Sequence, residues 1–179
     1  MANGKKKSMA GVTDYIQMLD RVSKAVDKLP ARAATEAVNF SKERFRAQNW
    51  VDNRTETWKR RKAVRGETNR RAGRAILVDT GRLRRSIRKI SVTNVRATIG
   101  TDVAYAQAHN DGFRGKVNQR VRAHSRKTAK GKTSSVKAHS RSIKLNIPRR
   151  RFIGASAQLE KNLARMMTLE IKRAINGKQ

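Results

Sequence analysis

No cysteine occurs among the 179 residues, so disulfides and thiolate metal sites are excluded. Aromatic residues make up only 4% and hydrophobic residues 37%, a thin supply of core for a chain this long. Acids are scarce as well. Thirteen Asp and Glu stand against 44 Lys and Arg, a formal net charge of +31. Such a chain repels itself when compact, which points to a polyanion or an acidic protein surface as its neighbour. No apolar run approaches the roughly 18 residues of a membrane span. The basic start, Met1 to Lys7, leads into no apolar stretch long enough for a signal peptide. The expectation is a soluble protein, made and used inside a cell or particle.

What is present reads as helices at the two ends with short strands between. Residues 1–11 read as a mobile basic arm. From there Val12, Tyr15, Ile16, Leu19, Val22, Val26 and Leu29 recur at steps of three and four, one face of a helix. Pro30 ends or kinks that helix, or opens a second one, and helical spacing resumes through Ala34, Ala37, Val38 and Phe45. Residues 49–75 read as a long irregular connection, pinned to the core by Trp50 and Trp58. Thr80 can cap a short helix over residues 81–88 by accepting a bond from a first-turn amide; within it Leu83 and Ile87 face the core together. Asp79, just before Thr80, reads as a helix-start device. Residues 90–93 and 97–101 read as two short strands with a turn at Thr93-Asn94-Val95. Tyr105 to His109 is a short segment, helical or extended, closed by Asp111-Gly112. The last helix runs from about Ala157 to Ile175, with Gly177 as its stop.

Residues 114–151 contain fourteen Lys and Arg and no acid at all. They hold a near-repeat, Val121-Arg122-Ala123-His124-Ser125-Arg126 and Val136-Lys137-Ala138-His139-Ser140-Arg141, with a turn-like tip around Lys130 and Lys132. Small or apolar residues alternate with basic ones at the period of a strand. Two antiparallel strands are therefore expected. Val121, Ala123, Val136 and Ala138 would share one face; Arg122, His124, Arg126, Lys137, His139 and Arg141 would line the other. A long two-stranded ribbon is marginal alone, so it should lie on a neighbouring subunit or another protein. Arg122, His124, Arg126, Lys130, Lys132, Lys137, His139 and Arg141 are the candidate contacts to a partner or to DNA.

No catalytic constellation emerges. The histidines are His109, His124 and His139. The last two could face each other across the ribbon, but no carboxylate or thiol stands near them in sequence to complete a metal site. Ser125 and Ser140 follow histidines directly, and adjacent strand residues point to opposite faces. No phosphate-binding loop of the Walker type is present. The reading is a non-enzyme without metal or cofactor.

The order Trp58, then Leu77-Val78-Asp79-Thr80-Gly81-Arg82-Leu83 through Ile87, then Tyr105 to Gly112-Phe113, then Arg149-Arg150-Arg151-Phe152-Ile153-Gly154, resembles the Mu-like virion morphogenesis (tail completion) family of tailed phages, whose members help join tail to head. The resemblance runs from about Phe45 to the C-terminus, and this chain departs from the family pattern in its extreme charge and basic arm. The fold expected is α+β: N-terminal and C-terminal helices on a small, mainly antiparallel sheet, with a protruding basic hairpin over 114–147. Residues 12–179 would form one domain framed by Trp58, Leu77, Thr80, Gly81, Leu83, Ile87, Tyr105, Gly112 and Phe152. The resemblance implies a structural virion protein of the neck or tail, assembled in the host cytoplasm. It would form a ring, hexameric by expectation, beside other connector, tail tube or tail terminator proteins and near packaged DNA. The alternative, favoured by composition alone, is a basic protein that binds nucleic acid without sequence preference.

Overall fold

The computed structural model describes residues 3–61, 75–129 and 131–177, with side chains from residue 11 onward. The fold is α+β, with a long helix at each end and small antiparallel sheets between. The first helix, α1, is continuous from Asn3 to Ala47 with Pro30 inside it. One helix, not two, therefore carries both apolar runs, and residues 3–11, expected as an arm, supply its first turns. Once a helix is nucleated each further residue adds a hydrogen bond, and Lys5, Lys6 and Lys7 are good helix formers. Pro30 removes one amide donor from the ladder. Nearby, the Thr35 hydroxyl donates to the Ala31 carbonyl at 2.9 Å.

The chain then makes a small hairpin, β1 (Asn49–Val51) and β2 (Thr55–Thr57), where the sequence suggested an irregular connection. Its purpose in packing is Trp50, 2% exposed, which meets Phe40 of α1 edge to face at 5.7 Å. The remainder of the expected 49–75 connection lies largely outside the described residues. Helix α2 (Arg82–Ser86) is shorter than the 81–88 expected, and strand β3 starts at Arg88. Gly81, at φ 73, is the residue at the helix N-cap, a left-handed position that suits glycine. Thr80 instead accepts from the Arg82 amide at 3.3 Å. Strand β3 (Arg88–Val92) pairs with β4 (Ala97–Gly100), with a bulge between Lys89 and Ser91. Helix α3 (Ala106–Asn110) follows, then four strands: β5 (Phe113–Val121), β6 (His124–Lys127), β7 (Thr133–Val136) and β8 (His139–Ile147). Helix α4 (Ala157–Ile175) closes the chain.

Among the described residues the strands form four separate two-stranded ladders and do not merge into one sheet. The core is correspondingly small. Val38 and Phe45 of α1 meet Trp58, Leu83, Ile87, Val103, Ala106 and Phe152. Phe45 is its hub, with Trp58 edge-on at 5.5 Å and Phe152 at 5.0 Å. Such aromatic pairs add about 0.5–1.5 kcal/mol each beyond the area they bury. Helix α4 runs antiparallel along α1. Arg32 ion-pairs with Glu170, and Arg21 donates to the Ala174 carbonyl at 3.1 Å. Its N-terminus is tied to the first hairpin: Ser156 caps it by accepting from Leu159 and donates to the Val51 carbonyl, and Asp52 accepts from the Ala157 amide.

Candidate functional site

Residues 113–147 are the largest surface feature set by strand pairing. β5 and β8 pair over nine residues each, from Phe113 opposite Ile147 to Val121 opposite His139. β6 and β7 continue in the same register, from His124 opposite Val136 to Lys127 opposite Thr133. Between the two ladders Arg122-Ala123 on one strand and Lys137-Ala138 on the other make no ladder bonds. The near-repeat explains the interruption. The His124 ring Nδ1 meets the Arg122 carbonyl at 2.9 Å, and the His139 ring Nδ1 meets the Lys137 carbonyl at the same distance. Two copies of one local turn thus sit at the same level.

This register corrects the faces expected from the sequence. Directly opposed residues share a face. Val121 therefore sits with His139, and Val136 with His124. The valines do not share one side with each other, and the histidines do not face one another. A shift of one residue in pairing moves every side chain to the other face, and the repeat pairs in a two-fold sense, valine against histidine.

Along β5 and β8 the faces separate by character. One carries Phe113, Val117 and Val121 with Ile143, Leu145 and Ile147. Its remaining positions are Gly115, over which the Phe113 ring folds, His139 opposite Val121, and the Gln119–Arg141 pair, in which Arg141 donates twice to the Gln119 side-chain oxygen at 2.9 and 3.0 Å. The other face carries Arg114, Lys116, Arg120 and Lys144 among Asn118, Ser140, Ser142 and Asn146. Those four cations are absent from the sequence-derived contact set. The signal was available in the two-residue period counted from Phe113, with every apolar residue of β5 and β8 at an odd position.

Of the predicted contacts, Arg122, His124, Arg126, Lys132, Lys137, His139 and Arg141 are all exposed. Lys130 lies outside the described residues. Arg122 and Lys137 stand at the interruption, His124 and Arg126 on one face of the β6–β7 ladder, and Lys132 at the tip beside the turn closed by Thr128. Arg141 belongs to the apolar face of the base. Among the described residues none of these cations has a carboxylate within ion-pair distance.

The ribbon leaves the body through a built junction. Gly112 has φ +81, and a Cβ there would come within 3.1 Å of the Arg149 amide nitrogen, so any other residue would be strained at this approach. Asn110 accepts from the Phe152 and Ile153 amides, both at 3.0 Å. Arg150, 7% exposed, donates to the Lys59 carbonyl through two nitrogens, and its amide donates to the His109 carbonyl. Trp58 donates to the Arg151 carbonyl at 3.0 Å. Burial, and then the nearby Arg150 guanidinium, hold His109 below its ordinary pKa. Its Nδ1 is buried with no hydrogen-bond partner among the described residues.

The framework residues fall into three groups. Trp58, Leu83, Ile87 and Phe152 are buried in the core, with Leu77 partly buried against it in a left-handed backbone at φ 60. Thr80, Gly81 and Gly112 serve turns. Tyr105, expected as part of the framework, is 47% exposed and touches the His109 ring edge-on. Among the described residues no group of three His, Cys, Asp or Glu is placed to hold a metal ion, and no helix is long and apolar enough to cross a membrane.

The chain is similar to the phage virion morphogenesis family, whose model matches residues 8–172. No curated protein and no solved structure matches it.

Proposed function

Given that the chain belongs to the phage virion morphogenesis family, a structural role in building a phage particle follows, and we propose that this role is at the head–tail junction. The chain acts there as a tail completion, terminator or neck protein, assembles with copies of itself as a ring, and joins tail to head without catalysing a reaction. The observation that carries the reading is the ribbon over residues 113–147. It has an apolar face and a basic face, and its body-side junction is rigidly bonded while its strands contact chiefly one another. An isolated two-stranded ribbon is marginal in water, so this one is suited to a surface that another molecule completes. The net charge of +31 suits an acidic neighbour in a large assembly.

The four cations on one face of the ribbon base favour a second reading, contact with packaged DNA through phosphate charge alone. The two are separated by deleting the gene and imaging the particles. Full heads beside unattached tails, with joining restored by added protein and the chain located at the neck, supports the junction role. Normally joined particles that lack the chain overturn it.

A further inference from the structure

A second uncovered apolar surface lies on the same chain. α4 ends alongside Arg21 of α1, where Gly177 and Ala174 meet that guanidinium. Towards Asn3, α1 continues past the end of α4. There Val12, Tyr15, Ile16 and Leu19 are 61%, 58%, 59% and 47% exposed. Their spacing of three and four makes one continuous stripe. At about 100° per residue, Arg21 lies about 200° round the helix from Leu19, so the stripe faces away from α4. An amphipathic helix draws most of its stability from packing of its apolar face, and among the described residues nothing covers this one.

We propose that the apolar face of the ribbon base of one copy lies along this stripe of α1 in a second copy of the chain. Three observations select that occupant. The first is length. The nine-residue strands of the base span about 30 Å, and the exposed apolar residues of α1, continued on the same face by Val26, span about 21 Å from Val12, so the whole stripe fits within the ribbon face. The second is charge. In a chain of net charge +31, residues 11–29 hold three acids against three bases. Asp27 and Asp20, the latter ion-paired with Lys24 at 2.7 Å, border the stripe, whereas Arg21 and Lys28 line the groove toward α4. The ribbon brings Arg141 on its apolar face and no acid between 114 and 151, so the two surfaces are complementary where two ribbons, or two basic chain bodies, repel. The third is economy of burial: one contact covers both open faces. Two different patches meet, so the contact is heterologous and repeats head to tail until it closes as a ring. This inference rests on the reading of the chain as a self-assembling structural protein and names the surfaces it uses.

The absence of cysteine gives a clean test. The purified full chain is prepared as Ile16→Cys, Val117→Cys and the double variant, and oxidised at low salt. Both positions are exposed, so melting should match the parent. Mixing the two single variants should give a disulfide-linked dimer that neither forms alone, and the double variant should give a ladder ending in one closed species. Adding Asp20→Lys and Asp27→Lys should cut the mixed dimer by about tenfold. Arg141→Glu in the partner should restore part of it. A dimer of Ile16→Cys alone would mean helix on helix, and one of Val117→Cys alone ribbon on ribbon; either overturns the proposal, as does the lack of any disulfide. Failure here, with the chain still needed to join heads and tails, would leave the junction role standing. A mixed dimer from a chain absent from particles would do the reverse.

Discussion

Replacing Phe152 by Ala tests whether the small core is the part of the molecule that holds the rest. The ring is 1% exposed and lies 5.0 Å from Phe45, which in turn meets Trp58. Truncating a buried Phe to Ala costs about 3–5 kcal/mol, and the lost Phe45 contact places this site toward the middle of that range, about 4 kcal/mol. A domain holds about 5–15 kcal/mol in all. In a chain of this length each kcal/mol moves the melting temperature by about 2–4 °C, so a fall of about 8–16 °C is expected. The backbone amides of Phe152 and Ile153 keep their bonds to Asn110, so the junction should persist in whatever fraction stays folded. The assay is thermal unfolding by circular dichroism at moderate salt, with urea unfolding as a check. A loss under 1 kcal/mol would refute the reasoning, because it would show that this aromatic cluster does not bear the stability of the fold.

Gly112→Ala should destabilise by about 1–3 kcal/mol, since it combines a positive φ with a close backbone approach to Arg149; unfolding of the variant checks it, and an unchanged midpoint would refute it. His109 titrates below its ordinary pKa because it is buried beside Arg150. The unfolded chain therefore takes up this proton first as pH falls below about 6.5, and stability should drop from there toward the folded pKa. His109→Gln should flatten that slope in unfolding measured between pH 7 and pH 5. Arg122→Glu with Lys137→Glu should leave melting nearly unchanged, since exposed charges contribute little to stability, while weakening DNA affinity and making it less salt-sensitive. Joined particles from that variant would assign those two cations to DNA, and unjoined particles with a normal melt would assign them to a protein surface.

The terminal helices were legible because their signal is local. The stripe from Val12 to Leu29 and that from Leu159 to Ile175 each repeat within one helix. Whether Pro30 broke α1 was not legible, since proline is tolerated at a helix start and the same residues fit either reading. The β1–β2 hairpin was missed because its strands are three residues long and only Trp50 among them is buried. The ribbon faces were misassigned for a different reason. Alternation reveals that a strand has two sides, but which residues share a side across two strands depends on pairing, and the near-repeat invited like to be set with like. The buried set of Leu83, Ile87, Trp58 and Phe152 was readable from large apolar residues beside turn residues. The four cations of the ribbon base were readable strand by strand from the two-residue period, but that they share one face across the two strands took the register.

The interruption at Arg122-Ala123 and Lys137-Ala138 has a mechanical consequence. A ladder resists bending because each bond shares the load with its neighbours. Here the load-sharing stops on both strands at one level, and resumes as a second short ladder. Stiffness is therefore distributed as a firm base, a compliant joint and a firm tip. A base held in a fixed position still leaves its tip free to swing through a range of angles at little elastic cost. In the ring proposed above, copies seated identically could then present their tips differently, as contact with a neighbour of another rotational order would demand.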